Sequence, residues 1–338
     1  MNYETDAVVV GAGPVGLFAV FQCGMVKMRC HLVDALDAVG GQCMALYPEK
    51  PIYDIPGFAS LPAAELIARL EAQAAAFKPT IHLGRQMVGL DRVADSWRCT
   101  LSDGTQITAK AVIVAAGSGA FGPNRPPLDG ITAFEGKGAG LGVHYFVARR
   151  EDFRGKKVVI AGGGDSAVDW AISLAELAER VMVVHRRAKF RAAPESESRL
   201  KDLADAGRVE LVVPYQLHGL EGDNGRLAAV TVATLEGEVR RLEADALLPF
   251  FGLATNLGPI AEWGLAMDRN TIAVDPATMA TSAPGIFAAG DISAYPGKLK
   301  LILTGFAEAA RAAHSAYEFA HPGEALHFEH STSAGVPR

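Results

Sequence analysis

Apolar residues are concentrated in short continuous runs along the chain, and several of these runs end at a glycine. The first run, "DAVVV", is followed by Gly11, Gly13 and Gly16 and by an apolar segment. The short run predicts a buried strand, and the longer segment predicts a helix. Another run, "RCHLVD", follows the helix and ends at Asp34. The chain is therefore predicted to begin with a strand–helix–strand unit of an α/β protein.

The same pattern returns halfway along the chain. The strand-like "KKVVIA" leads to Gly162, Gly164 and Ala167. A helix is then predicted to run to about Arg180, with "VMVVH" as the next strand. Residues 208–250 are predicted to form alternating strands joined by turns. We call residues 11–16 the first glycine turn and residues 162–167 the second glycine turn.

Two further segments contain buried-strand patterns. Residues 110–126 combine an apolar run with a Pro/Gly-rich exit, and residues 283–319 contain a strand, Gly290, Asp291 and a helix. In flavin enzymes with two dinucleotide-binding units, such a Gly-Asp pair binds the ribityl and phosphate region. Asp291 is equally compatible with a simple helix N-cap.

The first glycine turn has the spacing of a dinucleotide-binding site. Its glycines permit a tight turn, close approach of the backbone to a pyrophosphate, and close packing of helix on strand. The start of the following helix offers free N–H groups to phosphate oxygens. Asp34 follows Gly16 at the distance where a carboxylate hydrogen-bonds the hydroxyl groups of an adenosine ribose. This segment is predicted to bind a dinucleotide.

The second glycine turn is followed by the opposite charge. At the place that corresponds to Asp34, the chain has His185, Arg186 and Arg187, with Arg191 close behind. Guanidinium groups bind a ribose 2′-phosphate through charge-assisted hydrogen bonds, whereas a carboxylate repels it. A solvated basic turn is the alternative. The pattern predicts NADP(H) at the second turn and a different dinucleotide, FAD, at the first.

Composition narrows the class of protein. The chain has 338 residues, 49% of them hydrophobic, and a net charge of −6, which argues against general affinity for nucleic acids. No apolar stretch is long enough for a membrane span and no leader pattern is present, so we expect a cytoplasmic protein. The four cysteines form no C-x-x-C pair and no metal-ligand spacing, so we expect free thiols and no metal site. They are Cys23, Cys30, Cys43 and Cys99.

The order of the motifs predicts two domains, one inserted into the other. Residues 1–118 and 251–338 are predicted to form a discontinuous FAD-binding domain, and residues 119–250 an NADP(H)-binding domain. A tail, about 321–338, extends beyond the last predicted helix.

Over almost its whole length, the chain resembles the thioredoxin-reductase-like ferredoxin/flavodoxin–NADP reductases. The motifs that carry this resemblance are "GAGPVGL", "GGQ…ALYPEKPIYDIPG", "GGGDSAVDWA", "HRRAKFRA", "FAAGDI" and "HSTS". The resemblance implies an α/β fold with two Rossmann-like, three-layer ββα dinucleotide-binding domains, as in low-molecular-weight thioredoxin reductase. It also implies a homodimer.

The resemblance also implies individual site residues. Tyr47 and His330 are expected to stack on the two faces of the flavin, with His330 supplied by the tail of a partner subunit. No dedicated catalytic side chain is expected, because the flavin itself carries the electrons. The expected FAD contacts are Gly11, Gly13, Gly16, Asp34, Gln42, Tyr47, Val88, Phe121, Asp291 and Thr332. The expected NADP(H) contacts are Gly162, Gly164, Asp165, Ser166, His185, Arg186, Arg187 and Arg191.

The missing cysteine pair suggests the reaction. Thioredoxin reductases carry a C-x-x-C before the second glycine turn, where this chain has "HYFV", residues 144–147, and no cysteine follows Cys99. Disulfide reduction requires a thiolate, so electrons from NADPH are expected to leave the flavin for a one-electron carrier, ferredoxin or flavodoxin. A quinone, an external disulfide or dioxygen as acceptor remains an alternative, as does a non-catalytic redox sensor.

Several aromatic and basic residues near the predicted flavin are assigned simpler roles. Tyr53 and Phe58 are expected to pack in the core or at a hinge. Lys50, Lys298 and Lys300 are weak candidates for a basic surface that docks an acidic carrier.

Overall fold

The structure, a computed structural model, describes residues 1–136 and 142–324 together with residues 326 and 335. Its strands are Asn2–Val10 (β1), Cys30–Val33 (β2), Pro51–Ile52 (β3), Leu61–Pro62 (β4), Thr80–His82 (β5), Met87–Val93 (β6), Ser96–Leu101 (β7), Gln106–Val114 (β8), Ala120–Pro123 (β9), Lys157–Ala161 (β10), Arg180–Val184 (β11), Val209–Val212 (β12), Gln216–Asp223 (β13), Arg226–Ala233 (β14), Val239–Glu243 (β15), Ala246–Pro249 (β16), Leu253–Asn256 (β17), Met267–Asp268 (β18), Thr271–Ala273 (β19), Ile286–Ala288 (β20) and Ser293–Ala294 (β21). The α-helices are Pro14–Met25 (α1), Gln42–Leu46 (α2), Ala63–Ala75 (α3), Asp165–Leu174 (α4), Pro194–Asp205 (α5) and Ile302–Ala320 (α6). Single 3₁₀ turns occur at Ile131–Phe134, Arg150–Phe153, Gly258–Glu262 and Gly290–Ile292.

The chain divides into two compact units. The discontinuous unit comprises Met1–Phe121 and Thr255–Arg338, and the inserted unit comprises Gly122–Ala254. Which nucleotide each unit binds stays a prediction.

The discontinuous unit is built on a seven-stranded sheet in the order β5-β2-β1-β8-β7-β6, with β20 also paired to β8. Strands β5, β2, β1, β8 and β20 run parallel, and β6 and β7 form an antiparallel extension. Ala7 and Val9 of β1 belong to one apolar cluster, and Val8 and Val10 belong to another. Because side chains alternate along a strand, the sheet is buried on both faces, as its continuous apolar runs predict.

Helices α1, α3 and α6 contribute to the first of these clusters, which includes Leu17, Leu66 and Ala312. The second cluster includes Leu257 and Ile272 from the last third of the chain. The segment after residue 255 therefore completes the core that the first 121 residues begin, which explains why this unit needs both parts of the chain.

The inserted unit contains a four-stranded parallel sheet, β12-β11-β10-β16, and a three-stranded antiparallel sheet, β13-β14-β15. One apolar cluster joins the two sheets through residues such as Val159, Val230 and Leu247, each fully buried. The strand–helix–strand unit predicted around the second glycine turn is present as β10, α4 and β11.

The prediction that the helix after the second glycine turn runs to about Arg180 is wrong. Helix α4 ends at Leu174, and the next residues form turns. The carbonyl group of Leu177 accepts a hydrogen bond from Gly155 N–H, and Glu179 N–H donates to Lys156. These bonds hold the segment beside the start of β10 and direct it into β11, which a continuing helix would prevent.

In the described part of the chain, every helix is too short or too polar to cross a membrane. Across the same residues, no group of three or more His, Cys, Asp or Glu side chains is placed to hold a metal ion.

Candidate dinucleotide-binding sites

A cavity of about 410 Å³ lies in the discontinuous unit, at the carboxyl ends of β1, β2 and β8. Ligands of open parallel sheets bind at this edge, because the loops there leave a crevice. The predicted site residues that line the cavity are Gly11, Gly13, Asp34, Gln42, Tyr47, Phe121 and Asp291. The structure therefore brings together residues that are up to 280 positions apart in the chain.

The three glycines of the first glycine turn have different structural roles. A Cβ on Gly11 would lie 2.4 Å from the Ala115 carbonyl oxygen, and a Cβ on Gly16 would lie 1.8 Å from that of Gly11. Gly11 also has φ +107°, which favours glycine. A Cβ on Gly13 would meet no protein atom within 4 Å. Gly11 and Gly16 are thus needed for packing, whereas Gly13 borders the open cavity.

Helix α1 presents an uncapped amino terminus to this cavity. Gly13 is its N-cap and Pro14 its first residue, and no side chain caps the first turn. The first N–H groups of a helix have no partner within the helix, and they carry a partial positive charge. An anion such as a pyrophosphate fits this position, so the first glycine turn is suited to a dinucleotide.

Asp34 connects the end of β2 to the first glycine turn. Its Oδ2 accepts a hydrogen bond from Ala12 N–H (2.5 Å), and its Oδ1 accepts one from Leu36 N–H (2.8 Å). Burial raises the pKa of the Asp34 carboxyl, and the two N–H groups act in the opposite direction. Each carboxylate oxygen can accept a further hydrogen bond, so Asp34 can hold the turn and still bind a ribose hydroxyl.

Tyr47 lies at the end of the short helix α2, against the cavity. It directly follows Leu46, the last helical residue, and Gln42 begins the helix. The Cys43 thiol donates a weak hydrogen bond to the Tyr47 hydroxyl oxygen (3.9 Å). Burial raises the pKa of the Tyr47 hydroxyl well above its usual range, with Cys43 contributing in the same direction. Tyr47 therefore presents a neutral aromatic ring to the cavity.

A buried acid anchors the segment that follows β20. Glu308 of α6 is 1% exposed, and its carboxylate accepts hydrogen bonds from Gly290 N–H (2.7 Å), Ser293 Oγ (3.3 Å) and Tyr295 Oη (2.6 Å). It also forms an ion pair with Lys298. Because Gly290 lines the cavity, Glu308 fixes the wall that presents Asp291.

Of the three lysines proposed for a docking surface, Lys298 is excluded, because its side chain is only 7% exposed and paired with Glu308. Lys300 is exposed and borders the cavity.

The prediction that Tyr53 and Phe58 pack in the core is wrong, because these residues are 70% and 40% exposed.

A chain of hydrogen bonds supports the edge of the cavity near β5. His31 Nδ1 lies 3.0 Å from His82 Nε2, and His82 Nδ1 lies 3.0 Å from Arg85 Nη1. Arg85 lines the cavity and forms an ion pair with Asp103 (3.0 Å). An arginine can only donate, so His82 accepts at Nδ1 and carries its proton on Nε2, which donates to His31. The arrangement requires both imidazoles to be neutral.

The predicted contact Val88 is placed differently from the other FAD residues. Its side chain is 42% exposed and is absent from the cavity wall, whereas its neighbour Met87 is buried and lines the cavity. The side chain of Val88 therefore does not contribute to the cavity wall. The predicted contacts His330 and Thr332 lie outside the described residues.

The second glycine turn repeats the geometry of the first. A Cβ on Gly162 would lie 2.7 Å from the Phe250 carbonyl oxygen, whereas a Cβ on Gly164 would meet nothing within 4 Å. Gly164 is the N-cap of α4, no side chain caps this helix, and Asp165 and Ser166 are its first residues. The helix terminus is therefore open to an anion, as in α1.

The basic segment after β11, residues 185–193, folds back onto this turn. Arg191 N–H donates to the Gly163 carbonyl oxygen (2.6 Å), and Ala193 N–H donates to Asp165 Oδ1 (2.9 Å). Arg186, Arg187 and Arg191 are exposed, and among the described residues none of them is paired with a carboxylate. Three guanidinium groups beside an open helix terminus suit a nucleotide with an additional phosphate.

The cysteines cannot form a dithiol relay in the inserted unit. All four are buried free thiols, and all four lie in the discontinuous unit. This confirms the prediction that they are free thiols. In the segment where the resemblance to thioredoxin reductases implies a cysteine pair, Tyr145 Oη donates to Glu135 (2.5 Å), which also pairs with Arg125.

Sequence reasoning missed Glu308, Arg85 and Gly163. Glu308 was detectable, because it falls on the small-residue face of α6 with Gly305 and Ala312, where a charged side chain must find a partner. Arg85 and Gly163 carry no comparable local signal, because Asp103, which pairs with Arg85, and Arg191, which bonds Gly163, come from other segments.

Residues 5–316 match the family described as pyridine nucleotide-disulphide oxidoreductase. The match covers most of the chain, which therefore belongs to this family. The chain is 73% identical to a ferredoxin–NADP reductase of Paramagnetospirillum magneticum, covering 100% of this chain and 99% of that protein. It is 65% identical to a ferredoxin–NADP reductase of Rhodospirillum rubrum, covering 99% and 97%. These relatives confirm the resemblance inferred from the motifs.

Among solved structures, the chain is similar to thioredoxin reductase of Lactococcus lactis, with 24% identity, a TM-score of 0.77, and coverage of 94% of this chain and 99% of that one. It is also similar to thioredoxin reductase of T. acidophilum, with 24% identity, a TM-score of 0.78, and coverage of 93% and 98%. These similarities confirm the predicted fold class, a thioredoxin-reductase-like α/β fold with two Rossmann-like domains.

Proposed function

We propose that the protein is an FAD-dependent oxidoreductase that transfers electrons between NADPH and ferredoxin or flavodoxin. In the ferredoxin direction, one NADPH and two oxidised ferredoxins give NADP⁺, a proton and two reduced ferredoxins. The discontinuous unit binds FAD and the inserted unit binds NADP(H). Ferredoxin is the carrier named for the relatives, which are ferredoxin–NADP reductases.

The observation that carries the proposal is the location of the cysteines. A reductase of disulfides needs a thiolate that receives electrons from the flavin and attacks sulfur. The only four thiols of this chain are buried in the core of the discontinuous unit, and burial raises the pKa of Cys99 to about 12. Electrons that reach the flavin therefore leave it without a thiol relay.

FAD fits the cavity of the discontinuous unit. The open helix terminus at Gly13 accepts the pyrophosphate, Asp34 binds the ribose, and Asp291 binds the ribityl region. Tyr47 supplies a neutral ring that stacks on the flavin, and such contacts contribute about 0.5–1.5 kcal/mol beyond area burial. When bound, FAD supplies an acceptor that takes two electrons as hydride and releases them singly. The remaining predicted contacts are Gly11, Gly16, Gln42, Val88, Phe121 and Thr332.

NADP(H) fits the second glycine turn. The open start of α4, with Gly162, Gly164, Asp165 and Ser166, receives the pyrophosphate. Arg186, Arg187 and Arg191 bind the 2′-phosphate, which NAD(H) lacks. No acid–base side chain is required, because hydride transfer depends on orientation of the two rings.

Four further features belong to this proposal. The protein is a homodimer in which the tail of the partner subunit supplies His330 to the flavin face opposite Tyr47. It acts in the cytoplasm. The carrier docks near Lys50 and Lys300, since acidic carriers are attracted by basic surfaces.

The proposal is tested with purified protein. It should be yellow, should bleach anaerobically with NADPH much faster than with NADH, and should regain its colour on addition of oxidised ferredoxin or flavodoxin. Thioredoxin and a quinone are added in parallel. Reoxidation by the quinone alone would indicate another acceptor, and a colourless protein that binds no FAD would contradict the proposal.

A further inference from the structure

We propose that His185 takes up a proton from solvent when NADP(H) binds, so that the affinity for the 2′-phosphorylated nucleotide depends on the charge of this histidine. His185 would then be a specificity-determining residue that acts from beneath the second glycine turn. The proposal rests on the function proposed above, because it requires that the inserted unit binds NADP(H).

The imidazole of His185 lies directly beneath the second glycine turn. The side chain belongs to a residue that is only 8% exposed, and a Cβ on Gly163 would lie 2.4 Å from both Cε1 and Nε2 of the ring. Phe190, of the same segment 185–193, packs against the ring, with ring centroids 5.3 Å apart. His185 is therefore held in the floor of the turn rather than on its surface.

Among the residues that the structure describes, one nitrogen of this ring has no hydrogen-bond partner. Nε2 is buried and makes no hydrogen bond, whereas the ring bonds the backbone of Lys189 in a way that favours the protonated imidazole. A carbonyl oxygen can only accept, so it favours a ring proton on the nitrogen other than the unpartnered Nε2, which is Nδ1. In the neutral ring, the proton is thus on Nδ1 and Nε2 holds an unused lone pair. A buried polar atom without a partner is costly, which marks Nε2 as a site that another state of the protein satisfies.

The charges around the ring explain why it is neutral without ligand. Burial lowers the pKa of His185, and Arg186, Arg191 and Arg187 lower it further. From the other segments packed against it, the turn after β10 contributes Gly162 and Gly163, which carry no charge, and Asp165 of α4 accepts the Ala193 N–H. The neighbouring strand β12 carries Glu210, which Arg180 and Arg240 already bind.

A bound 2′-phosphate changes the balance of charge around His185. At neutral pH a phosphate monoester carries close to two negative charges, and here it would lie among the same three arginines. Neutralising those arginines removes the repulsion that disfavours the imidazolium, and the negative charge attracts it. The pKa of His185 must therefore rise on binding, and Nε2 becomes an N–H donor beneath the turn that receives the pyrophosphate.

Proton uptake on binding links the affinity for NADP⁺ to the pH. Between the lower pKa of the free protein and the higher pKa of the complex, binding takes up protons, so affinity for NADP⁺ increases as the pH falls through this range. The uptake is a fraction of a proton and is greatest at the pH midway between the two pKa values. The phosphate releases protons in the same range, because arginines favour its dianion. A His185 variant separates the two contributions.

The test is calorimetric titration of the FAD-loaded full chain with NADP⁺, in two buffers of different ionisation enthalpy, from pH 5.5 to 8. NAD⁺ is the ligand control. The variants are His185→Asn, which keeps a donor near the Lys189 carbonyl group, and His185→Gln. His218→Asn is the matched control, because His218 is an exposed histidine of the same unit. Wild type and His218→Asn should take up a few tenths of a proton more than either His185 variant.

Equal proton uptake in wild type and both His185 variants would overturn the inference and leave the proposed function intact. Absence of NADP⁺ binding in wild type would overturn both. If the variants do not fold, NMR of wild-type protein labelled with ¹³C-histidine measures the titration midpoints of the histidines with and without NADP⁺. The inference then requires that NADP⁺ raises the titration midpoint of one buried histidine, and an unchanged set of midpoints overturns it.

Discussion

The ammonium group of Lys298 and the carboxylate of Glu308 form an ion pair that is almost completely buried, with side chains 7% and 1% exposed. A buried pair gives little net stability relative to apolar residues, but removal of one partner leaves an uncompensated charge. Three hydrogen-bond donors besides Lys298 converge on the same carboxylate. The pair is therefore best understood as a device that holds the cavity wall at Gly290 in one position.

Removal of Lys298 alone should destabilise the protein and weaken FAD binding. Lys298→Met leaves Glu308 buried without its counter-ion, so we expect a loss of about 3–5 kcal/mol in unfolding free energy. The double variant Lys298→Met/Glu308→Gln should recover part of it. Lys110→Met, which breaks the exposed pair with Asp95, is the control and should change stability by less than about 1 kcal/mol. Denaturant unfolding and FAD content measure both effects, and equal losses in Lys298→Met and Lys110→Met would contradict the role of burial.

The glycines of the first turn should separate folding from FAD binding. Gly13→Ala adds a Cβ to open space at φ −70°, so the protein should fold normally but bind FAD about tenfold more weakly or worse. Gly11→Ala brings a Cβ to 2.4 Å from Ala115 at φ +107°, so it should be destabilised by several kcal/mol. Circular dichroism and FAD titration of refolded protein distinguish the two. A Gly13→Ala variant that retains full FAD affinity would mean that the pyrophosphate lies elsewhere.

The arginines after β11 should decide between NADPH and NADH. A charge-assisted hydrogen bond is worth about 1.5–3 kcal/mol, so Arg186→Ala or Arg187→Ala should raise the KM for NADPH by about 10- to 100-fold. The KM for NADH should stay nearly constant, because this nucleotide has no 2′-phosphate. Arg241→Ala, which removes an exposed pair with Glu221 in the same unit, is the control. Steady-state kinetics measure the KM for both nucleotides. An equal rise in the KM for NADH would indicate general damage to the inserted unit.

Stability should decrease in mild acid because of His31 and His82. Burial lowers the pKa of His31 to about 4, with His82 and Arg29 acting in the same direction. The unfolded chain binds a proton at about pH 6.5, whereas the folded chain resists it until about pH 4. The unfolded state therefore holds more protons between these values, and the free energy of unfolding falls as the pH is lowered from 6.5 to 4.

Replacement of His31 should flatten this pH dependence. His31→Asn retains an acceptor near His82 Nε2 but does not titrate, so the stability lost between pH 6.5 and 4 should be smaller than in wild type. The exposed His218 again provides the control variant. Thermal or denaturant unfolding at five or six pH values measures the slope, and an unchanged slope in His31→Asn would assign the acid sensitivity to other groups.

Local sequence patterns were sufficient to predict much of the fold. Strand β1, helix α1 and strand β2 were predictable because continuous apolar runs, glycine spacing and Asp34 all act within 34 residues. The end of α4 was not predictable in this way. Its termination at Leu174 depends on backbone hydrogen bonds to Gly155 and Lys156, which precede it by almost 20 residues.

The sequence by itself determined the two glycine turns, the contrast between Asp34 and Arg186–Arg187, and the lack of a cysteine pair after residue 99. These features reside in residue types and short spacings, which do not change with packing. Only the tertiary structure decided that Glu308 clamps the cavity wall, that Lys298 is unavailable for docking, and that His185 lies beneath Gly163. Each of these depends on which distant side chains the sheets and helices bring within a few ångströms, and burial then sets the charge that a side chain can carry.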